Sequence, residues 1–249
     1  MKVQGIAAAL LLSGLGATMA NAVEITVLST QATEQAYREM IPQFEKATGN
    51  TVKITYTGTL DAKKRIAAGE FFDLLIMASP EIESFLASGT LAPGSRVDLA
   101  KSGVGIGVKA GAPKPDISTI EAFKKTLLAA QSIGYSTGPS GVYVIGLFDK
   151  LGVADAVKPK LKQTPTGVFV GTLVASRETE IGIQQVSEMS HYPGVDYVGA
   201  LPADIQKYTM FTSGLSATAK QPEAAKALVK FTTSPAAADA YKKRGMEPG

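Results

Sequence analysis

The chain has 249 residues, 45% of them hydrophobic and 19% charged, with a formal net charge of +3. That is enough chain for two small lobes or one large domain, too apolar a composition for disorder, and too little and too scattered a charge for a nucleic-acid partner. There is no cysteine and a single histidine, His191, which excludes disulfides, thiol nucleophiles, thiolate zinc sites and a histidine-rich metal centre; no metal or cofactor is expected.

At the N-terminus, Lys2, an apolar core from Ile6 to Leu15 and the small-x-small pattern Ala20-Asn21-Ala22 read as an export leader over residues 1–22, cut before Val23. The apolar core is shorter than the roughly 20 residues of a membrane-spanning helix, and no cysteine stands at the cut to carry a lipid. The mature chain is expected free, as a monomer, in the periplasm of a Gram-negative cell.

Strand and helix then alternate. Glu24 to Leu28 is a β-branched run, Ser29 to Thr33 a polar loop, and Glu34 to Thr48 a helix with Tyr37, Met40, Ile41 and Phe44 on one face and Gly49 to end it. The plan repeats with a strand at Val52 to Tyr56, a Thr57-Gly58-Thr59 turn and a helix from Leu60 to Ala68. It repeats again with a buried strand from Phe72 to Met77, Ser79 as the cap of the next helix and Pro80 in its first turn. Such units build a parallel sheet with helices on both sides, and ligands gather where its loops enter helix N-termini.

Alternating glycine and β-branched residues from Ser102 to Val108 suggest a bendable crossing between lobes. Ser118 and Glu121 form a capping box for a helix to about Ala130. Gly134 to Val144, Gly-Tyr-Ser-Thr-Gly-Pro-Ser-Gly-Val-Tyr-Val, reads as a strand end, a tight loop and the start of a helix stopped by Gly152. Unbonded N–H groups and the helix dipole suit that turn to an anion, with the Ser136, Thr137 and Ser140 hydroxyls as further donors. An ordinary Ser-capped helix is the plainer alternative. Val168 to Ser176 looks helical, Glu180 to Val186 and Val195 to Val198 read as strands, and Met210 to Ala219 as the return crossing. Two closing helices carry Pro222 and Pro235 in their first turns. Lobe I is thus expected over 23–105 and 212–249, lobe II over 106–211.

The segments Ile25-Thr26-Val27-Leu28-Ser29, Phe44 to Gly49, Thr57 to Leu60, Asp73 to Ile76, Pro139-Ser140-Gly141-Val142-Tyr143 and Gly182-Ile183-Gln184-Gln185 together resemble the periplasmic molybdate-binding proteins of ABC transporters, over nearly all of the mature chain. The resemblance implies an α/β, two-lobed type II periplasmic-binding fold, each lobe a mostly parallel sheet flanked by helices, with two crossover strands and a permease in the inner membrane as partner. Candidate ligand groups from the loops and helix starts are Ser29, Thr30, Thr57, Thr59, Ser79, Ser140, Gly141 and Gln185; the resemblance implies Ser29 for the family's first serine and Thr57 or Thr59 for its second. Departures from the family pattern stand at Ser140, in place of alanine, at Gln185, in place of tyrosine, and in Met77-Ala78-Ser79, in place of Ser-Ala-Asp. A compact dianion held by few donors does not tolerate so many changes around it, so a different small anion is expected, an organic acid or another oxyanion.

Lys64, Arg65 and Arg177 lie near these loops; an arginine suits a planar carboxylate, although all three also read as solvated surface charges. Gln184 and Gln185 alternate on a strand, so one of them faces inward or to the cleft. Two functions follow: a receptor closing on a small anion for an importer, or a cofactor-independent isomerase on the same fold, since some relatives resemble aconitate isomerase. The latter needs a general base. His191 lies in an apparent surface turn, Glu34 doubles as a helix-dipole partner, and Glu178 and Glu180 flank Arg177, so the base is left unassigned. The chain is read as lacking Gly-x-Ser-x-Gly before a helix, and with it a Ser-His-Asp set at a nucleophile elbow, so hydrolysis is not expected.

Overall fold

The computed structural model describes residues 22–249; the leader read over residues 1–22 lies outside them, apart from Ala22. The first units form as their patterns predict. β1 (Glu24–Thr30) feeds α1 (Glu34–Thr48), which buries Ala36, Tyr37, Met40, Ile41 and Phe44 and ends at Gly49 in the left-handed conformation, φ 76°. β2 (Thr51–Thr57) leads into α2 (Thr59–Ala67), and the wholly buried β3 (Leu74–Ala78) into α3 (Ser79–Ala87). β4 (Val97–Ser102) and β5 (Val104–Lys109) follow, with α4 (Ile120–Ala129), β6 (Ile133–Tyr135) and α5 (Pro139–Lys150) after them. Next come α6 (Ala154–Val157), β7 (Leu161–Gln163), α7 (Val170–Ala175), β8 (Ile181–Gln185), α8 (Val186–Met189) and β9 (Val195–Ala200). The chain closes with β10 (Thr209–Leu215), α9 (Pro222–Thr232), α10 (Pro235–Lys243) and β11 (Glu247–Pro248).

Two sheets result, ordered β11-β4-β10-β3-β1-β2 and β7-β6-β8-β5-β9. β1 pairs in parallel with β2 and β3, and β6 in parallel with β7 and β8. β10 lies antiparallel to β3 and β4, and β5 antiparallel to β8 and β9. The geometry of a two-lobed chain explains the mixture. β1, β3, β6 and β8 run towards the edge that faces the other lobe, whereas β5 and β10 enter their sheets from that edge and so run the opposite way. Each sheet has its own apolar core, Tyr37, Phe44, Ile76, Phe211 and Tyr241 among the buried residues of one and Ile106, Phe123, Phe148 and Ile183 of the other.

The chain passes between sheets at Gly103 and again between Ala200 and Thr209. The lobe limits drawn at 105/106 and 211/212 therefore fall inside β5 and β10, each of which belongs to one sheet; a glycine-rich strand and a flexible crossing look alike in sequence. Two glutamines stitch the crossings together. Gln206 accepts from the Val104 N–H at 2.7 Å and donates to the Val104 carbonyl at 2.9 Å. Gln185, with its amide oriented to satisfy its neighbours, donates to the Ser102 and Gly103 carbonyls at 2.9 and 3.0 Å and accepts from the Thr209 hydroxyl at 2.8 Å.

Local caps differ from expectation in two places. Thr119 rather than Ser118 caps α4, its hydroxyl accepting from the Ala122 N–H at 3.1 Å. Ser79 is the first residue of α3, not its cap, and its hydroxyl turns to Thr212 Oγ1 at 2.6 Å on β10. In both, a neighbour of nearly equal capping propensity or a sheet partner outcompetes the local pattern.

Candidate functional site

The carboxyl ends of β1, β2, β6 and β8 open into loops that meet between the lobes. There they enclose a cavity of about 30 Å³, lined by Thr30, Gln31, Thr59, Ser136, Thr137, Ser140, Gln184, Gln185 and Glu188, with Gly58, Gly138 and Gly167 among the residues closing it. That is room for about two water molecules, so any larger ligand enters with the lobes further apart. The walls touch. Gln31 Nε2 donates to the Gly167 carbonyl at 2.8 Å across the cleft, and a Cβ placed on Gly58 would lie 2.5 Å from Thr166 Oγ1 and 2.7 Å from the Gly167 nitrogen.

Among the described residues no lysine, arginine or histidine lines this cavity; its positive character comes from hydroxyls and from the first turns of α2 and α5, whose N–H groups have no carbonyl behind them to bond. In α5, Gly138 occupies the cap position in extended conformation and Pro139 the first turn, so the Ser140 and Gly141 N–H groups follow at once. Ser140 is 1% exposed, its Oγ 3.2 Å from Ser136 Oγ, which accepts from the Gly138 N–H. Thr59, Thr137, Gly138 and Pro139 also line an adjoining groove of about 670 Å³ that carries Lys207, Val142, Tyr208 and Lys63, the last paired with Glu81 at 3.3 Å.

Of the residues singled out from sequence, Thr30, Thr59, Ser136, Thr137, Ser140, Gln184 and Gln185 are brought together at the cavity. The others lie elsewhere. Ser29 is buried and hydrogen-bonded to Thr33 Oγ1 at 2.8 Å, and Thr57 donates to Asp61 at 2.5 Å. Ser79 lines the outer groove. Gly141 serves packing rather than contact: a Cβ there would come within 1.7 Å of the Ser136 carbonyl oxygen. Arg177 is exposed in the left-handed turn after α7, φ 64°, far from the cavity lining. Gln185 lines the cavity while its amide is engaged by the crossings. Lys64 and Arg65 stay outside the cavity, Arg65 pairing with Glu70 at 2.6 Å.

The candidate bases fare alike. His191 is exposed and bonded through Nδ1 to Ser190 at 2.8 Å. Glu178 receives the Ser176 hydroxyl at 2.9 Å and Glu180 the Gln131 N–H at 2.6 Å. Glu34 pairs with Arg38 at 2.7 Å. The carboxyl in the cavity is instead Glu188, in the short α8 that follows β8. Burial pushes it up to about 8, against a lowering hydrogen bond from Gln184, with a smaller upward contribution from Glu34 across the cleft. Gln184 Oε1 meanwhile accepts from the Val170 N–H at 2.8 Å, which leaves its amide nitrogen for Glu188. The sequence reading ended at the strand; a helix opening at the carboxyl end of β8, as after β1, β2 and β6, is the signal that would have found it. Gly134-Tyr135-Ser136-Thr137-Gly138 also does carry the Gly-x-Ser-x-Gly spacing ahead of a helix, contrary to that reading. Ser136 nevertheless lacks a histidine, because His191, the chain's only one, does not line the cavity.

Two lobes, two stitched crossings and a cavity of amides and hydroxyls between them define a solute-binding protein. The chain belongs to the bacterial extracellular solute-binding protein family, whose model matches residues 25–247. It is 37% identical over 230 residues to an aconitate isomerase of Pseudomonas sp, covering 90% of this chain and 87% of that one. It is 24% identical to the molybdate-binding protein ModA of Escherichia coli (strain K12), covering 96% and 95% of the two chains. In structure it resembles the periplasmic molybdate-binding protein of Azotobacter vinelandii, with a TM-score of 0.75 at 17% identity over 89% of this chain and 98% of that one. It is thus molybdate-binding-protein-like, in a subgroup that also resembles aconitate isomerase.

Proposed function

We propose that the protein captures a small organic polyanion, a di- or tricarboxylate, between its lobes in the periplasm. The observation that carries this is the adjacency of the two spaces, which share Thr59, Thr137, Gly138 and Pro139 in their walls. A cavity of neutral donors holds one anionic head, and the adjoining groove offers Lys207, beside a Lys63 that pairs with Glu81 at 3.3 Å, to the rest of an extended ligand, whereas a compact tetrahedral dianion would leave that cationic groove unused. Neutral donors in a dry cleft stabilise a carboxylate strongly because they are already oriented. As a receptor, the closed form would be handed to an ABC-type permease.

Thermal unfolding with molybdate, sulfate, phosphate, citrate, trans-aconitate and cis-aconitate tests the reading. The carboxylates are expected to stabilise the protein, by about 2.7 kcal/mol at 100 times the dissociation constant; stabilisation by molybdate or sulfate alone would refute it. A second reading, conversion of trans- to cis-aconitate, is favoured by the 37% identical relative named for that activity and by a carboxyl placed inside an anion site, where a pure receptor gains nothing from it.

A further inference from the structure

Among the described residues, Glu188 is the one ionisable side chain in a wall of hydroxyls, amides and glycines, with Ala32, Pro139, Val168 and Phe211 as its apolar members. In an anion-binding cleft an ionised carboxylate opposes the ligand, so its presence there calls for a reason. We infer, resting on the isomerase reading, that Glu188 is the catalytic acid–base that moves one proton between two carbons of an unsaturated polycarboxylate.

The step balances without a co-reactant. Ionised Glu188 takes a proton from the methylene carbon beside the double bond; the electron pair spreads over the three-carbon allyl unit onto the adjoining carboxylate. Ser136, Ser140, Thr30 and the α5 amides surround the cavity where that enolate-like charge develops. The protonated Glu188 carboxyl, whose O–H exchanges with solvent, then delivers a proton to the carbon at the far end of the allyl unit. One C–H bond breaks, one forms, and the double bond moves by one position.

The surroundings of Glu188 suit a group that alternates between charged and neutral. Against the effect of burial, the Gln184 amide on β8 favours the charged form of the carboxyl. The charged residue acting on it from the opposite lobe is Glu34 on α1, itself neutralised by Arg38 at 2.7 Å. Of the charged side chains on the strands behind α8, Lys109 on β5 is bound to the Ala175 carbonyl at 2.6 Å and Asp196 on β9 to the Gly111 N–H at 2.9 Å. With burial raising the carboxyl to about 8, it is mostly protonated at neutral pH and reaches balance at mildly alkaline pH, within the range where it can both take and return a proton.

The experiment follows trans-aconitate by proton NMR in heavy water with the wild-type protein, Glu188→Gln and Glu188→Asp, and titrates all three with trans-aconitate by thermal shift. Expected are turnover and solvent-deuterium incorporation by the wild type, kcat/KM rising with pH and levelling near 8, a loss of about 10²–10⁴-fold in Glu188→Gln with ligand stabilisation retained, and partial recovery in Glu188→Asp. Wild-type turnover with an equally active, folded Glu188→Gln would overturn the assignment alone. Absence of wild-type turnover would overturn the isomerase reading and the assignment with it, whether or not the ligand binds.

Discussion

Gly141 shows how tightly single residues set the site. A methyl group at this position meets the Ser136 carbonyl oxygen at 1.7 Å, whereas one at Gly146, five residues further along α5 and facing outward, meets nothing within 4 Å. Gly141→Ala is expected to lose about 2 kcal/mol or more in urea unfolding and to abolish ligand stabilisation, since the loop carrying Ser136 must move. Gly146→Ala should instead gain up to about 1 kcal/mol from helix propensity. Equal effects of the two would show that the close approach is not real. Glu188 makes a different prediction. Its folded carboxyl titrates near 8, against an unfolded value of 4.5, so between those pH values the folded protein holds a proton that the unfolded chain has released. Stability without ligand should therefore fall as pH rises through that window, by at most about 1.4 kcal/mol per unit, and flatten above it. Denaturation from pH 5 to 9 checks this against Glu188→Gln, which should lack that slope. His191, lowered by burial and by Arg244, contributes an opposite slope that the comparison removes.

Among the elements, α2 is the one whose start is shaped for closure. Gly58 has φ −77°, a conformation any residue adopts, so conformational freedom does not require glycine there. What requires it is the Gly167 backbone of the other lobe, 2.7 Å from an added Cβ. Gly58→Ala should accordingly cost under about 1 kcal/mol of stability, while weakening ligand binding because full closure is blocked. Calorimetric titration beside a melting curve separates the two; unchanged affinity would mean that the lobes meet differently when loaded.

At the scale of the whole molecule, motion is confined by the crossings, where Gln185 and Gln206 tie both connections to one another. Replacing Gln185 by leucine leaves the Ser102 carbonyl and the Thr209 hydroxyl short of a buried partner. It should lower stability by about 2–3 kcal/mol and change how readily the lobes separate, measurable as altered hydrogen exchange at Val104 and Val186. Wild-type exchange there would show that the glutamine does not restrain the hinge.

Local pattern was sufficient for much of this. The strand-loop-helix rhythm, the apolar face of α1, the αL glycines and the proline-led helices all follow from periodicity and backbone sterics, which neighbouring residues determine among themselves. Thr30, Thr59 and Ser140 were legible as site residues for the same reason, since a loop entering a helix advertises itself. Partners that only the folded backbone brings into reach decided the rest. Ser79 found a hydroxyl on β10 and Gln185 found the crossings, both distant in sequence, while Ser29 and Gly141 met Thr33 and Ser136 only through the path of their own turns. Glu188 looks like any helix-opening acid until folding removes its water and sets it in the cleft; its burial is a property of what surrounds it, and that exists only in three dimensions.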